Sequence, residues 1–138
     1  MPQAMATEVQ KLCETIEECY EFTLSYAARG LASDQGSGLR ERLTRSAAAM
    51  RGLEASCADA AREMQLEPAE KYGAFFAVVA RDAASALAAI ELVMAQPVIG
   101  AQLIDTLNAS IHLRALLADL FLLTEILETR QAAATPAG

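Results

Sequence analysis

Residues that usually perform chemistry are scarce in this chain of 138 residues. It has one histidine, three cysteines and no tryptophan, and aromatic residues make up 5% of it. The sequence contains no Glu-x-x-His pair of the kind that di-iron bundles use and no glycine-rich phosphate loop. The cysteines do not have the paired spacing of thiolate ligands. We therefore predict no catalytic residues, no metal site and no cofactor, and a protein that is not an enzyme.

Long uncharged segments are also missing. The longest stretch without a charge, between Glu91 and Asp105, has 13 residues and is interrupted by Pro97. Crossing a bilayer takes roughly 20 apolar residues. The first residues lack the basic and then apolar layout of a signal peptide, and three cysteines cannot all pair within one chain. We expect no contact with a membrane and a cytoplasmic location.

Alanine dominates what is present. Thirty alanines, against seven glycines and four prolines, favour helix because alanine has the highest helix propensity. Apolar residues recur at helical spacing in four segments, which predicts helices at about 7–29, 38–65, 68–95 and 100–129 and a frayed tail over 130–138. Short connections make successive helices antiparallel. The predicted fold is all-α, a single domain over 1–138 with the topology of an antiparallel up-down-up-down four-helix bundle.

The fourth predicted helix has two apolar stripes. One consists of Ile104, Leu107, Ile111, Ala115, Ala118, Leu122 and Ile126. The other consists of Leu113, Leu116, Leu120, Leu123 and Leu127. A single core-facing side does not hold both stripes, so we predict that the leucine stripe is the interface of a homo-oligomer. The alternative is a wide core stripe in a monomer.

Charge is distributed unevenly along the first two helices. Helix one has an acidic face, formed by Glu14, Glu17, Glu18 and Glu21. The first half of helix two has candidate binding residues, namely Arg40, Arg42, Arg45 and Arg51. These arginines either form ion pairs within or between subunits, or bind phosphates or an acidic protein. The net charge of −7 makes a nucleic-acid partner doubtful and favours another protein.

One polar stripe includes the single histidine. Asp105, His112 and Asp119 are seven residues apart, so a continuous helix would place them on one side. Such a stripe could orient an imidazole for metal or phosphate chemistry. The alternative is a solvated strip between the two apolar stripes.

Two segments resemble a known family. Leu39–Met50 is similar to a second helix in which a leucine precedes paired arginines, and Glu70–Phe76 is similar to an acidic and aromatic start of a third helix. On these segments, and on helix lengths over about residues 8–128, the chain resembles the four-helix-bundle family named for the protein encoded in intervening sequences of 23S ribosomal RNA genes. The accessory variability protein of diversity-generating retroelements is similar to that family. The family's Pro-Ser-Asn-Ile-Ala-Glu-Gly run is absent here.

The resemblance implies a small cytoplasmic bundle that assembles into a pentameric ring and has no enzymatic activity. It also implies a nucleic-acid role for the matching basic positions Arg40, Arg42 and Arg45. Taken with the leucine stripe, it predicts a non-enzymatic homo-oligomeric scaffold or adaptor. One alternative is a helical chaperone, antitoxin or immunity-type protein that binds a partner through the apolar face of helix four. Another is a metal- or phosphate-dependent protein that uses His112.

Overall fold

The structure is a computed structural model that describes residues 2–134, with side chains from 7 to 133. Within this range the chain forms five helices and no strand. The helices are α1 (Pro2–Arg29), α2 (Leu39–Met64), α3 (Ala69–Met94), α4 (Ala101–Asn108) and α5 (Ile111–Ala134). The prediction of an all-helical chain is confirmed.

The first three helices lie close to their predicted positions. The ends of α2 and α3 each fall within one residue of the expected limits. Helix α1 ends at Arg29 as predicted, where Gly30 adopts a left-handed conformation with φ of 67° that glycine tolerates without strain. It begins at Pro2, earlier than expected. The predicted frayed tail is corrected, because α5 continues to Ala134; residues 135–138 lie outside the described residues.

The single helix predicted over 100–129 is two helices, with a break at Ala109 and Ser110. The Ser110 hydroxyl accepts a hydrogen bond from the backbone N–H of His112 at 3.3 Å. A serine at an N-cap makes this bond with the second residue of a helix. The new helix therefore starts from a serine cap, with neither glycine nor proline at the break.

The helices surround one core. Helix α1 contacts α2, α4 and α5, and α3 contacts α2, α4 and α5, so α5 lies between α1 and α3. Among the described residues, α2 and α5 do not contact each other. The largest fully buried side chains are Val9, Ile16, Tyr26, Leu39, Leu43, Leu53, Ile99, Ile104, Leu116, Leu120, Leu123 and Leu127.

The predicted oligomer interface is corrected by the burial of the leucine stripe. Its five members are at most 5% exposed within the single chain, namely Leu113, Leu116, Leu120, Leu123 and Leu127. Since α5 lies between α1 and α3, its leucine side fills the core. The other stripe crosses the break: Ile104 and Leu107 are buried, whereas Ile111 and Leu122 are exposed. The break changes the helical phase, so a stripe that is continuous in sequence is divided between core and surface.

Candidate functional site: the helix-two arginines and the α3–α5 carboxyl pair

Arg40, at the start of α2, binds the end of α3. Its Nη1 donates to the Met94 carbonyl at 2.8 Å and its Nη2 donates to the Gln96 carbonyl at 2.7 Å. Its Nε donates to Asp34 Oδ2, also at 2.7 Å. A helix C-terminus leaves carbonyl groups without intrahelical partners, and a cation there is favourable. Arg40 thus caps α3 within the chain instead of presenting a free guanidinium to a ligand.

Asp34 completes this contact from the other side. Its Oδ1 accepts a hydrogen bond from the backbone N–H of Ile99 at 2.8 Å, and Arg40 donates to its second oxygen. The Ile99 N–H and then the Arg40 guanidinium lower the pKa of Asp34. Nearby, the Tyr26 hydroxyl donates to the Ile99 carbonyl at 2.6 Å. The α3–α4 connection is therefore held by side chains from α1, α2 and the loop between them.

The other three arginines also have partners within the chain. The Arg42 guanidinium lies 4.9 Å from the centre of the Phe22 ring on α1. Arg51 pairs with Glu91 of α3 at 3.4 Å, and Arg45 pairs with Glu41 on its own helix. Arg40 and Arg51 thus face α3, whereas Arg42 faces α1. This distribution supports the ion-pair interpretation and divides the predicted patch between two sides of α2.

The acidic face of α1 is not paired with these arginines. No described cation forms an ion pair with Glu14, Glu17, Glu18 or Glu21. Partial burial raises the pKa of Glu17, and the charges of Glu14 and Glu21 raise it further. The acidic face therefore contributes negative charge to the surface, with no counterion among the described side chains.

The histidine stripe does not assemble as the seven-residue spacing predicted. The break at Ala109 and Ser110 separates Asp105, on α4, from His112 and Asp119, on α5. Asp105 and His112 are exposed, whereas Asp119 is half-buried beside α3. Within the described range, no group of three or more His, Cys, Asp or Glu side chains converges to hold a metal ion.

The cysteines are buried thiols. Cys13, Cys19 and Cys57 are each unpaired and at most 6% exposed. Burial raises the pKa of Cys13 to about 11 and that of Cys57 to about 12. A thiol with a raised pKa is a poor nucleophile and a poor metal ligand near neutral pH. These residues pack as small apolar side chains.

The structure joins two carboxyl groups that sequence reasoning did not connect. Asp119 of α5 lies beside Asp82 of α3, whose carboxyl group acts on it, and both side chains are half-buried. The Asp119 Oδ2 atom is buried and has no hydrogen-bond partner among the described residues. An aspartate within an apolar helix was the available signal, since aspartate is rarely buried without a partner.

The described residues also form grooves outside these contacts, of which two are large enough to consider. An open groove of about 610 Å³ lies where α1 ends and α4 begins, and its lining is small except for Leu31, Gln102 and Asp105. It offers one carboxylate and no convergent set of catalytic groups. A smaller apolar groove of about 140 Å³ lies between α3 and α5, and it is lined by Lys71, Tyr72, Phe75, Leu123 and Ile126.

Comparison of the chain with protein-family models, curated proteins and solved structures finds no match. None of the helices in the described part of the chain has the length and apolar character that crossing a membrane requires.

Proposed function

We propose that this chain is a non-enzymatic scaffold or adaptor that assembles with copies of itself through one exposed face of α5. The residues of this face recur at helical spacing and are all exposed; we call the set of Ile111, Arg114, Ala118, Leu122 and Glu125 the outer ridge. Ile111 is 75% exposed and Leu122 is 48% exposed. Large apolar side chains on one exposed helix face are typical of an interaction surface.

The charges of the outer ridge favour a second copy as its partner. Arg114 lies before Ala118 and Glu125 lies after it, and no described side chain pairs with either. If two copies of α5 pack antiparallel about Ala118, each Arg114 approaches the Glu125 end of the other helix. The small side chain of Ala118 allows the two backbones to approach closely. The outer ridge is therefore self-complementary, as a two-fold interface requires.

The number of chains in the assembly depends on the type of contact between them. An antiparallel contact between two identical ridges closes as a dimer. The pentameric ring implied by the family resemblance needs a second, different surface on each subunit. The mass in solution distinguishes the two, because a pentamer has five times the 14.7 kDa of the chain.

The proposed scaffold also has a defined arrangement of helix directions. We infer that the four long helices alternate in direction. Arg40 at the start of α2 binds carbonyls at the end of α3, and Gln10 near the start of α1 donates to Gln131 near the end of α5 at 3.2 Å. Contacts between opposite helix ends support an up-down-up-down arrangement.

A different protein is the alternative occupant of the outer ridge. This corresponds to the chaperone, antitoxin or immunity-type class, in which the apolar face binds a partner and not a second copy. The helix-two arginines support neither alternative, because each already has a partner within the chain.

Light scattering coupled to size exclusion tests the proposal. We expect the wild-type protein to elute as an assembly of at least two chains, with an absorbance spectrum free of nucleic acid. Leu122→Glu replaces an apolar side chain of the outer ridge with a charged one, so we expect folded monomers of 14.7 kDa with unchanged helical circular dichroism.

The matched control is Leu24→Glu on α1. Leu24 is 46% exposed, close to the 48% of Leu122, but it lies outside the outer ridge. We expect this variant to keep the wild-type mass. A monomeric wild-type protein, or an assembly that survives Leu122→Glu, would contradict self-association through the outer ridge.

A further inference from the structure

The contact between α3 and α5 contains two groups of like charge. The Asp82 carboxyl group of α3 lies beside the Asp119 carboxyl group of α5, and Asp119 Oδ2 is buried without a hydrogen-bond partner among the described residues. On α5, Leu116, Leu120 and Leu123 lie within one helical turn of Asp119 and are buried. A buried carboxylate oxygen without a donor loses its hydration and receives nothing in exchange.

One bound proton removes both the repulsion between the two carboxylates and the lack of a hydrogen-bond donor. Two carboxylates in contact do not readily ionise together, and a protonated carboxyl group has an O–H that it can donate to the other. One proton therefore removes the repulsion between Asp82 and Asp119 and supplies the missing donor. No described arginine or lysine forms an ion pair with either side chain.

The other charged groups near α5 do not replace that proton. On α1, Glu14 and Glu17 act on Cys13, Glu14 also acts on Glu17, and no described α1 group acts on Asp119. Asp105 of α4 is exposed and lies beyond the helix break. Asp82 is the one charged group among the described residues that acts on Asp119.

We propose that Asp82 and Asp119 share one proton across the α3–α5 contact, and that losing this proton separates the two carboxylates and loosens α5 from α3. The bundle is then more stable in mildly acidic solution than in mildly alkaline solution. The loosened contact lies one helical turn from Leu123, so the apolar groove at Phe75 and Leu123 widens when the proton is lost. This inference does not depend on self-association through the outer ridge.

The direction and range of the pH effect follow from Asp119. Burial first, and then the hydrogen bond and charge of Asp82, raise the pKa of Asp119 from 3.8 to about 7. Between these values the folded chain holds a proton that the unfolded chain has released. Stability therefore falls as the pH rises from about 4 to about 7 and shows no further loss from this pair above that range.

The first test is carbon-13 NMR of the side-chain carboxyl groups in the wild-type protein. We expect the Asp119 carboxyl to titrate with a midpoint near 7. A midpoint below about 5, the range of ordinary carboxyl groups, would overturn the proposal. This measurement needs no variant and so does not depend on whether a substitution folds.

The second test is urea unfolding of wild type and Asp119→Asn at pH values from about 5 to about 8. For wild type, the folding equilibrium constant should fall by a factor that approaches ten per pH unit in the lower part of this range. The asparagine amide can donate to Asp82 without titrating, so the variant should lose this dependence. Binding of the dye 1-anilinonaphthalene-8-sulfonate should rise with pH in wild type and stay level in Asp119→Asn.

Two control variants separate this pair from other titrating groups. Asp105→Asn makes the same chemical change at an exposed aspartate, and His112→Gln removes the single histidine of the chain. Both controls should keep the wild-type pH dependence. Loss of the dependence in His112→Gln, or its persistence in Asp119→Asn, would overturn the shared proton.

Discussion

Two regions of the molecule satisfy their polar groups very differently. One is the end where the α1–α2 loop (30–38) meets the α3–α4 connection (95–100), which we call the loop end, and the other is the α4–α5 segment. At the loop end, Tyr26, Asp34 and Arg40 each form a hydrogen bond of 2.8 Å or less with a defined partner. The three buried polar atoms without a hydrogen-bond partner all lie on α4 and α5, among the described residues: Asn108 Nδ2, Asp119 Oδ2 and Thr124 Oγ1. Polar contacts therefore determine the geometry at the loop end, whereas apolar burial holds α5 in place.

Two aspartates show what this difference does to charge. Asp34 accepts hydrogen bonds from a backbone N–H and a guanidinium, which lower its pKa, whereas burial and a second carboxyl group raise the pKa of Asp119. The contribution of Asp34 to stability is lost as the pH falls below about 4, and that of the Asp82–Asp119 pair is lost as the pH rises from about 4 to about 7. The two aspartates therefore give stability opposite dependences on pH: the contribution of Asp34 is lost on acidification, and that of the Asp82–Asp119 pair is lost on alkalinisation.

The largest loss of stability should come from Leu120→Glu, which places a charge among the buried apolar side chains of α5. Leu120 is fully buried, and burying a leucine contributes about 1.5–3 kcal/mol. A carboxylate at the same place also costs several kcal/mol of lost hydration. Because small domains have a net stability of about 5–15 kcal/mol, we expect loss of most of the helical circular dichroism at 25 °C.

Leu122→Glu is the matched control for this substitution. It introduces the same side chain two residues away, but Leu122 is 48% exposed and faces outward. The control should remain folded. A folded, monomeric Leu120→Glu protein would instead indicate that Leu120 lies in an oligomer interface, as its sequence pattern predicted.

A smaller loss of stability is expected from Arg40→Met, which removes polar contacts at the loop end. The substitution keeps an apolar stem but removes the donors to the Met94 and Gln96 carbonyls. Because hydrogen bonds to charged groups contribute about 1.5–3 kcal/mol each and Arg40 is partly exposed, we expect a loss of about 1–2 kcal/mol in urea unfolding. Arg45→Met should cost less than about 0.5 kcal/mol, since its pair with Glu41 is on the surface. Equal losses in the two variants would show that Arg40 is not a cap.

The helices could be predicted from sequence because alanine content and apolar spacing are local properties. The ends of α2 and α3 were located within one residue in this way. The break at Ser110 was missed because serine is also tolerated within helices, and its side chain shows its role only once the backbone turns. That one break changed which stripe of α5 faces the core, so the predicted interface was assigned to the inner leucines.

The contacts of the candidate site were harder to predict because they join distant segments. Arg40 was recognised as a candidate binding residue, yet its partners lie 54 and 56 positions away, at Met94 and Gln96. Asp82 and Asp119 are brought together only by the packing of α3 against α5. The spacing of charges along one helix carries no information on such pairs.

Apart from the Arg45→Met control, the smallest effect is expected from Thr124→Val, which removes a buried hydroxyl group from α5. The Thr124 hydroxyl influences the pKa of the neighbouring Cys13 thiol, but it is buried without a conventional hydrogen-bond partner. Valine has almost the same shape and no hydroxyl to desolvate. We therefore expect thermal unfolding to show a change within about 1 kcal/mol, neutral or stabilising. A loss of about 2 kcal/mol or more would mean that the hydroxyl forms a strong bond, and that α5 depends on polar contacts as the loop end does.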